Sequence, residues 1–272
     1  MAHSHKYGSL AGVLWGALLA MVLAAAAHAE VTQDFHRTVP LPANGRITLS
    51  NINGNVEITG WERNEVQIDA VKTARDQQRL DEARIEVETS SSSVEIRTHY
   101  PQHLFNNSAA SVHYTLHVPQ NARLEHIDLV NGSLEVQKIS GEISANLVNG
   151  KLRASDLAGE ADLATVNGTI EANYNSLTNV RDIKLKSVNG SINLTLPPSP
   201  NAEVSASAVS GGITTDFPLT VKGHVVGKSL SGTLGSGGVR IELNNVNGGI
   251  HIGEWRHPHW PGTRNLVAIA GT

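Results

Sequence analysis

The sequence predicts an all-β fold: a parallel β-solenoid, or flattened roll, of stacked 18–22-residue coils, with a β-rich N-terminal section containing one short helix. Three observations predict it. Val-Asn-Gly recurs at 130–132, 148–150, 166–168, 188–190 and 246–248. Glycines 132, 141, 150, 159 and 168 fall nine apart, which makes two short segments per 18-residue unit. Aliphatic residues stand two and four positions after most of these glycines, with polar ones between. That period of two belongs to a half-buried strand, because successive side chains point to opposite faces. One such strand cannot bury its apolar face alone, and stacking the copies can.

Ten glycines fit the pattern: 54, 132, 141, 150, 159, 168, 190, 211, 232 and 248. Two residues before each stands an aliphatic side chain, such as Ile52, Val130, Ile139, Val148, Leu157, Val166, Val188, Val209, Leu230 and Val246. Two residues after stands another, such as Leu134, Leu152, Ile170, Ile192 and Ile250. Both sets are expected to face the core, with Arg153 and Glu171 facing solvent. Asn tolerates the left-handed backbone and Gly adopts it freely, so Asn-Gly marks a tight corner. Asn131, Asn149, Asn167 and Asn189 are expected to stack as an amide ladder, interrupted at Ser210 and Ser231 and resumed at Asn247.

Residues 1–29 read as an export signal: a weakly basic start, an apolar run from Leu10 to Ala27, and small residues at Ala27 and Ala29. Cleavage there leaves a chain beginning at Glu30, without a stable membrane span. The remaining regions are a β-rich section at 30–124, the repeats at 125–256 and a tail at 257–272. Strands are expected at 46–49, 56–59, 65–73, 84–88, 94–98 and 111–118, with a helix at 75–83. Trp255, with the proline-bearing tail behind it, is expected to close the open end of the last coil.

Composition excludes several classes. With no Cys there is no disulfide scaffold, thiolate nucleophile or Cys-based metal site. A formal net charge of −4 argues against nucleic acid as a partner.

The runs Val130-Asn131-Gly132-Ser133-Leu134-Glu135-Val136 and Ile139-Ser140-Gly141-Glu142-Ile143 resemble the bacterial DUF4097 family of adhesin-like proteins. Asn53–Ile58 followed by Gly60-Trp61, and Tyr114–Pro119 before the repeats, are similar to the same family, so that the resemblance covers roughly residues 44–254. It implies an exported β-solenoid of adhesin type and brings no catalytic residue.

No catalytic, cofactor-binding or metal-ligating residue is assigned. The repeats lack the recurring Asp of calcium-binding nonapeptides, and Arg153 stands where a ligand would be needed. His99, His103, His113, His117 and His126 cluster in sequence, but His113 and His117 lie four strand residues apart, ~13 Å, too far to share a zinc ion. His257 and His259 lie in the tail. Asp128, Asp156, Asp162 and Asp182 share no register that would pair carboxylates for catalysis. Trp61, Tyr100, Tyr114, Tyr174, Trp255 and Trp260 are the residues available for stacking on a sugar or peptide, with a buried or capping role expected for Trp61. The expected function is a non-enzymatic, monomeric envelope or surface protein whose partner is a protein or glycan. The alternative is a periplasmic or envelope-stress module that binds a peptide, glycan or lipid headgroup.

Overall fold

The computed structural model describes residues 30–100, 110–219, 221–223 and 227–255. Residues 1–29, expected to be an export signal, and the residues from 256 onward lie outside the described residues. In chain order the first strands are β1 (Val31–Pro40), β2 (Arg46–Asn53), β3 (Val56–Trp61) and β4 (Glu65–Ala74), then helix α1 (Gln77–Glu82). There follow β5 (Arg84–Thr89), β6 (Ser93–His99), β7 (Ser111–Pro119), β8 (Arg123–Asn131), β9 (Leu134–Gln137), β10 (Ile143–Asn149), β11 (Leu152–Leu157), β12 (Ala161–Asn167) and β13 (Ile170–Tyr174). The last are β14 (Asp182–Asn189), β15 (Ile192–Leu196), β16 (Ala202–Ser210), β17 (Ile213–Thr215), β18 (Val221–Gly223), β19 (Lys228–Leu234), β20 (Val239–Asn247) and β21 (Ile250–Glu254). The strands expected from alternation all form.

These strands make two facing sheets of 10 and 11 strands. Each coil gives one strand to each sheet, and successive coils pair in parallel. The core is therefore built of rungs. Ile47, Leu124, Ile143, Ala161, Ile183 and Ile241 align across one sheet. Val56, Leu134, Leu152, Ile170, Ile192 and Ile250 align across the other. All are at most 3% exposed. Each full burial of such a side chain is worth roughly 1.5–3 kcal/mol, so the stack gains with every coil added. A narrow, layered interior also explains why aliphatic residues outnumber aromatic ones.

The two kinds of corner differ in parity, and this corrects half of the expected core. At Gly141 and Gly159 the inward-facing residues on either side are four apart, so Ile139 and Leu157 are buried like Ile143 and Ala161. At the Asn-Gly corners they are five apart: Leu147 and Leu152 both face in, and Val148 between them faces out. Val130, Val148, Val166, Val188, Val209 and Val246 are accordingly 38–54% exposed. Gly150 and Gly168 fit these corners because the coils approach closely there. A Cβ on Gly168 would stand 1.8 Å from the Gly150 carbonyl oxygen, and one on Gly150 would stand 1.9 Å from that of Gly132.

Stacking does not follow chain order. The sequence of coils in space is β6/β7, β2/β3, β8/β9, β10/β11, β12/β13, β14/β15, β20/β21 and β16/β17. Residues 46–61 thus form a coil of the same stack as the repeats, between β6/β7 and β8/β9. At the other end the last coil in sequence, β20/β21, sits between β14/β15 and β16/β17. The repeat assignment of Gly232 is corrected with this: it lies in β19, which runs antiparallel to β16 and belongs to no coil.

Both ends switch from parallel to antiparallel pairing. At the first, β5 covers β6, β4 covers β7 and β1 covers β4. At the second, β19 and β18 extend one sheet, and Phe217 and Leu219 pack on the core behind the short β17. Antiparallel covers of this kind block an open parallel edge that would otherwise template another chain. Trp255 does not follow the terminal coil of the stack, because the coil that it ends, β20/β21, is an internal one. Its backbone N–H donates to the Leu196 carbonyl at 2.7 Å, beside an internal coil. Helix α1 is capped by Asp76, whose carboxylate accepts from the Arg79 N–H at 2.9 Å, and it buries Leu80 against the first end.

Candidate interaction surface

The Asn-Gly corners align along one edge of the stack. Asn131 Nδ2 donates to Asn53 Oδ1 at 3.0 Å, Asn149 to Asn131 at 2.9 Å, Asn167 to Asn149 at 2.8 Å and Asn189 to Asn167 at 2.9 Å. Asn247 then donates to Asn189 at 2.9 Å. The ladder is continuous, since the coil carrying Asn247 stacks directly on the coil carrying Asn189. Ser210 ends it, opposite Asn247, and Ser231 is not at a corner at all.

Beside the ladder, on the outer face of the 11-stranded sheet, the out-facing residues form a second row. Ile52, Val130, Val148, Val166, Val188, Val246 and Val209 fall on successive rungs, each flanked by paired neighbours. At ~4.8 Å per rung the stripe is roughly 29 Å long. The next row inward runs Ser50, Asp128, Asn146, Ala164, Lys186, Asn244 and Ser207. Asp128 accepts from Asn146 Nδ2 at 2.9 Å and Asn244 from Ser207 Oγ at 2.8 Å. Lys186 is exposed. It makes no ion pair among the described residues.

The outer face of the other sheet is mainly polar, with Val71 of β4 an exposed exception at 42%. Glu57, Glu135, Arg153, Glu171, Asn193 and His251 share one row. Glu171 bonds Lys151 at 2.5 Å and Arg153 at 3.0 Å. Burial raises the Glu171 pKa, but those two cations outweigh it and hold the carboxyl below its ordinary value. Towards the first end, His36 bonds Asp69, and Gln67 Nε2 donates to the same carboxylate at 2.7 Å. The His36 contact, above all, lowers the Asp69 pKa. Trp61 is half-buried, stacked on His117 with ring centroids 5.3 Å apart, and Arg63 sits 4.8 Å over the indole.

The other residues singled out by sequence are dispersed. His113 accepts from the Asn55 N–H at 3.2 Å and contacts Ser111 Oγ at 3.1 Å. His99 is exposed at the end of β6, and His126 is exposed with φ 54° at a bulge in β8. Among the described residues no three His, Asp or Glu side chains converge as a metal site. Asp128 and Asp162 lie on the outer face of one sheet, in different rows. Asp156 bonds Asn175 and Asp182 bonds Lys184. Tyr100, Tyr114 and Tyr174 are buried and offer no ring for stacking. They hydrogen-bond Asn51, Thr98 and the Gly159 carbonyl, and burial raises all three pKa values, that of Tyr114 to about 12. His103, His257, His259 and Trp260 lie outside the described residues.

One groove was not visible in the sequence. At the first end, Phe35, Ala83, Ile85 and Lys72 line a space of about 470 Å³ between the outermost strands of the two sheets. Lys72 occupies a core-facing position of β4 and is 8% exposed. Burial lowers its pKa, against the pull of Asp81.

Comparison with known proteins bears on the repeats. Residues 146–253 match the Toastrack DUF4097 family model. The Toastrack match begins in β10 and runs through the out-of-order coil to β21. Among solved structures, a candidate cell adhesion protein from Clostridium sporogenes superposes with TM-score 0.52 at 16% identity, over 83% of this chain and all of that one. That likeness shows the fold. A candidate adhesin from Bacteroides fragilis gives TM-score 0.39 at 12% identity, over 82% of this chain and 97% of that one. A candidate lipid binding protein from Parabacteroides distasonis gives 0.28 at 10%, with the same coverage. No curated protein matches the sequence. Among the described residues no helix is long and apolar enough to cross a membrane.

Proposed function

We propose that this protein is a non-enzymatic, exported module of the bacterial cell envelope, working in structure, surface interaction or adhesion. The observation that carries the reading is the exposed aliphatic stripe beside the amide ladder. Six valines at equivalent corner positions face solvent rather than core. A contiguous apolar strip on an otherwise polar surface marks an interaction face. The rigid parallel stack presents it without the entropy cost of ordering a loop. The Ala27-His28-Ala29 motif after the apolar run supports export. The name of the Clostridium sporogenes protein of the same fold agrees with an adhesive role.

A second reading, a periplasmic module recognising a peptide, glycan or lipid headgroup, is favoured by the groove holding Lys72.

The test is a deletion strain complemented with the wild-type chain or with Val148→Lys/Val166→Lys. Wild-type protein should be found outside the cytoplasmic membrane, beginning at Glu30, and should restore attachment or envelope integrity. The stripe variant should be exported equally and fail to restore it. Cytoplasmic protein with Met1 intact, or full rescue by the stripe variant, would overturn the proposal.

A further inference from the structure

The periodicity of the stripe restricts what can cover it. Its rungs repeat at the ~4.8 Å spacing of stacked coils. A partner that fills every gap between the valines must carry side chains at the same spacing, on a surface as flat and about as long. A second copy of this chain meets that requirement over six of the seven rungs.

The charges beside the stripe select one arrangement. Take a two-fold axis perpendicular to the stacking direction, passing between Val148 and Val166, with the two stripes face to face and antiparallel. Val148 then opposes Val166, Val130 opposes Val188, and Ile52 opposes Val246. In the adjacent row Asp128 lies two coils to one side of Val166 and Lys186 one coil to the other. The axis therefore brings Asp128 of each copy onto Lys186 of the other, twice. Lys186, which makes no ion pair among the described residues of its own chain, gains one.

In the following row Ser144 would face Asp162, Thr48 would face Glu242, and the β8 bulge with Glu125 and His126 would face Lys184. No two carboxylates and no two lysines meet in these rows. The far edge of the face, where Glu142 would oppose Glu160, lies about 20 Å from the stripe along the strands, so the contact belongs to the ladder side of the sheet. Isologous contacts of this kind are the commonest way that identical chains associate.

We infer that the valine stripe is the interface of a two-fold homodimer centred between Val148 and Val166, with reciprocal Asp128–Lys186 pairs. This rests on the stripe being an interaction face, as proposed above, and names the partner as a second copy.

Sedimentation velocity of the exported chain, over micromolar concentrations, tests it. The wild-type chain should be dimeric. Val148→Lys/Val166→Lys should raise the dimer dissociation constant at least about 100-fold by burying unpaired charge, while the variant monomer keeps the native circular dichroism spectrum because both positions face outward, its melting temperature falling only by what the dimer contributes. Asp128→Lys and Lys186→Asp should each weaken the dimer, and the double exchange Asp128→Lys/Lys186→Asp should restore it. A chain that stays monomeric throughout would overturn the inference, as would a dimer indifferent to the stripe variant or not rescued by the exchange. A monomer whose attachment still depends on the stripe would sink the dimer and leave the functional proposal standing. A stripe-dependent dimer with normal attachment by the stripe variant would do the reverse.

Discussion

Asn247 donates a hydrogen bond to Asn189 at 2.9 Å although 58 residues separate them in the chain. The bond exists because the last coil in sequence is threaded between two earlier ones, and it makes the corner ladder continuous. Asn189 is bonded on both sides, donating to Asn167 and accepting from Asn247. Replacing it with Ala should cost about 1–2 kcal/mol, two modest exposed hydrogen bonds. Ser210→Ala, at the end of the ladder, should cost under about 0.5 kcal/mol. Urea denaturation of the two variants checks the contrast, and equal midpoints would deny the ladder a stabilising role.

Glycine positions separate in the same way. Gly168→Ala places a Cβ 1.8 Å from a backbone oxygen of the coil below, whereas a Cβ on Gly212 meets nothing within 4 Å. The first substitution must push two coils apart and should cost at least about 3 kcal/mol, and the second should stay within about 0.5 kcal/mol. Thermal melts of both proteins decide it.

Neighbouring residues at a corner should respond oppositely to charge. Leu147 is 2% exposed and Val148 is 39% exposed. Leu147→Asp buries a carboxylate without a partner and should cost at least about 3 kcal/mol. At concentrations low enough for both proteins to be monomeric, Val148→Asp should change stability by less than about 1 kcal/mol. A larger loss at Val148 would reverse the facing assigned to the Asn-Gly corners.

Glu171 gives a pH dependence. Against the opposing effect of burial, Lys151 and Arg153 hold its native pKa below the ordinary glutamate value. The unfolded chain therefore binds the proton more readily than the folded one. The stabilisation is fully present above the unfolded pKa and is lost as pH falls through the native one. Glu171→Gln should lower stability at pH 7 by about 0.5–1 kcal/mol, a modest effect because both cations are partly open to solvent, with side chains 41% and 47% exposed. The difference from wild type should vanish at strongly acid pH. A gap that persists unchanged at low pH would show that the carboxylate charge is not its source.

Much of this architecture is legible in the residues. The alternation through Leu152, Ala154, Ile170 and Ala172 fixes strands and inward faces, because a period of two admits no helix. Asn131 and Asn149, each before a Gly, give the corner and the amide ladder. Two features are not legible for physical reasons. Val148 and Leu152 are an even number of residues apart, so simple alternation places both inside; only the corner's backbone path shows that five residues, not four, separate the inward positions. The order of coils is also silent in the sequence. Five corners carry the same Val-Asn-Gly, so nothing local says whether Asn247 belongs beside Asn189 or beyond Ser210. The stripe was hidden by the first of these ambiguities, and the Lys72 groove by the absence of any local pattern around a single lysine.

The threading of the last coil is tested most directly by cysteine pairs, since the chain has no cysteine of its own. Asn193 pairs with His251, and His251 with Thr214, on the polar outer face. Adjacent rungs lie ~4.8 Å apart, within disulfide range, and two rungs lie ~9.6 Å apart, beyond it. Asn193→Cys/His251→Cys should therefore oxidise readily to an intramolecular disulfide under mild conditions, and Asn193→Cys/Thr214→Cys should not. Rapid cross-linking of residues 193 and 214, with none between 193 and 251, would mean that the coils stack in chain order and would contradict the account.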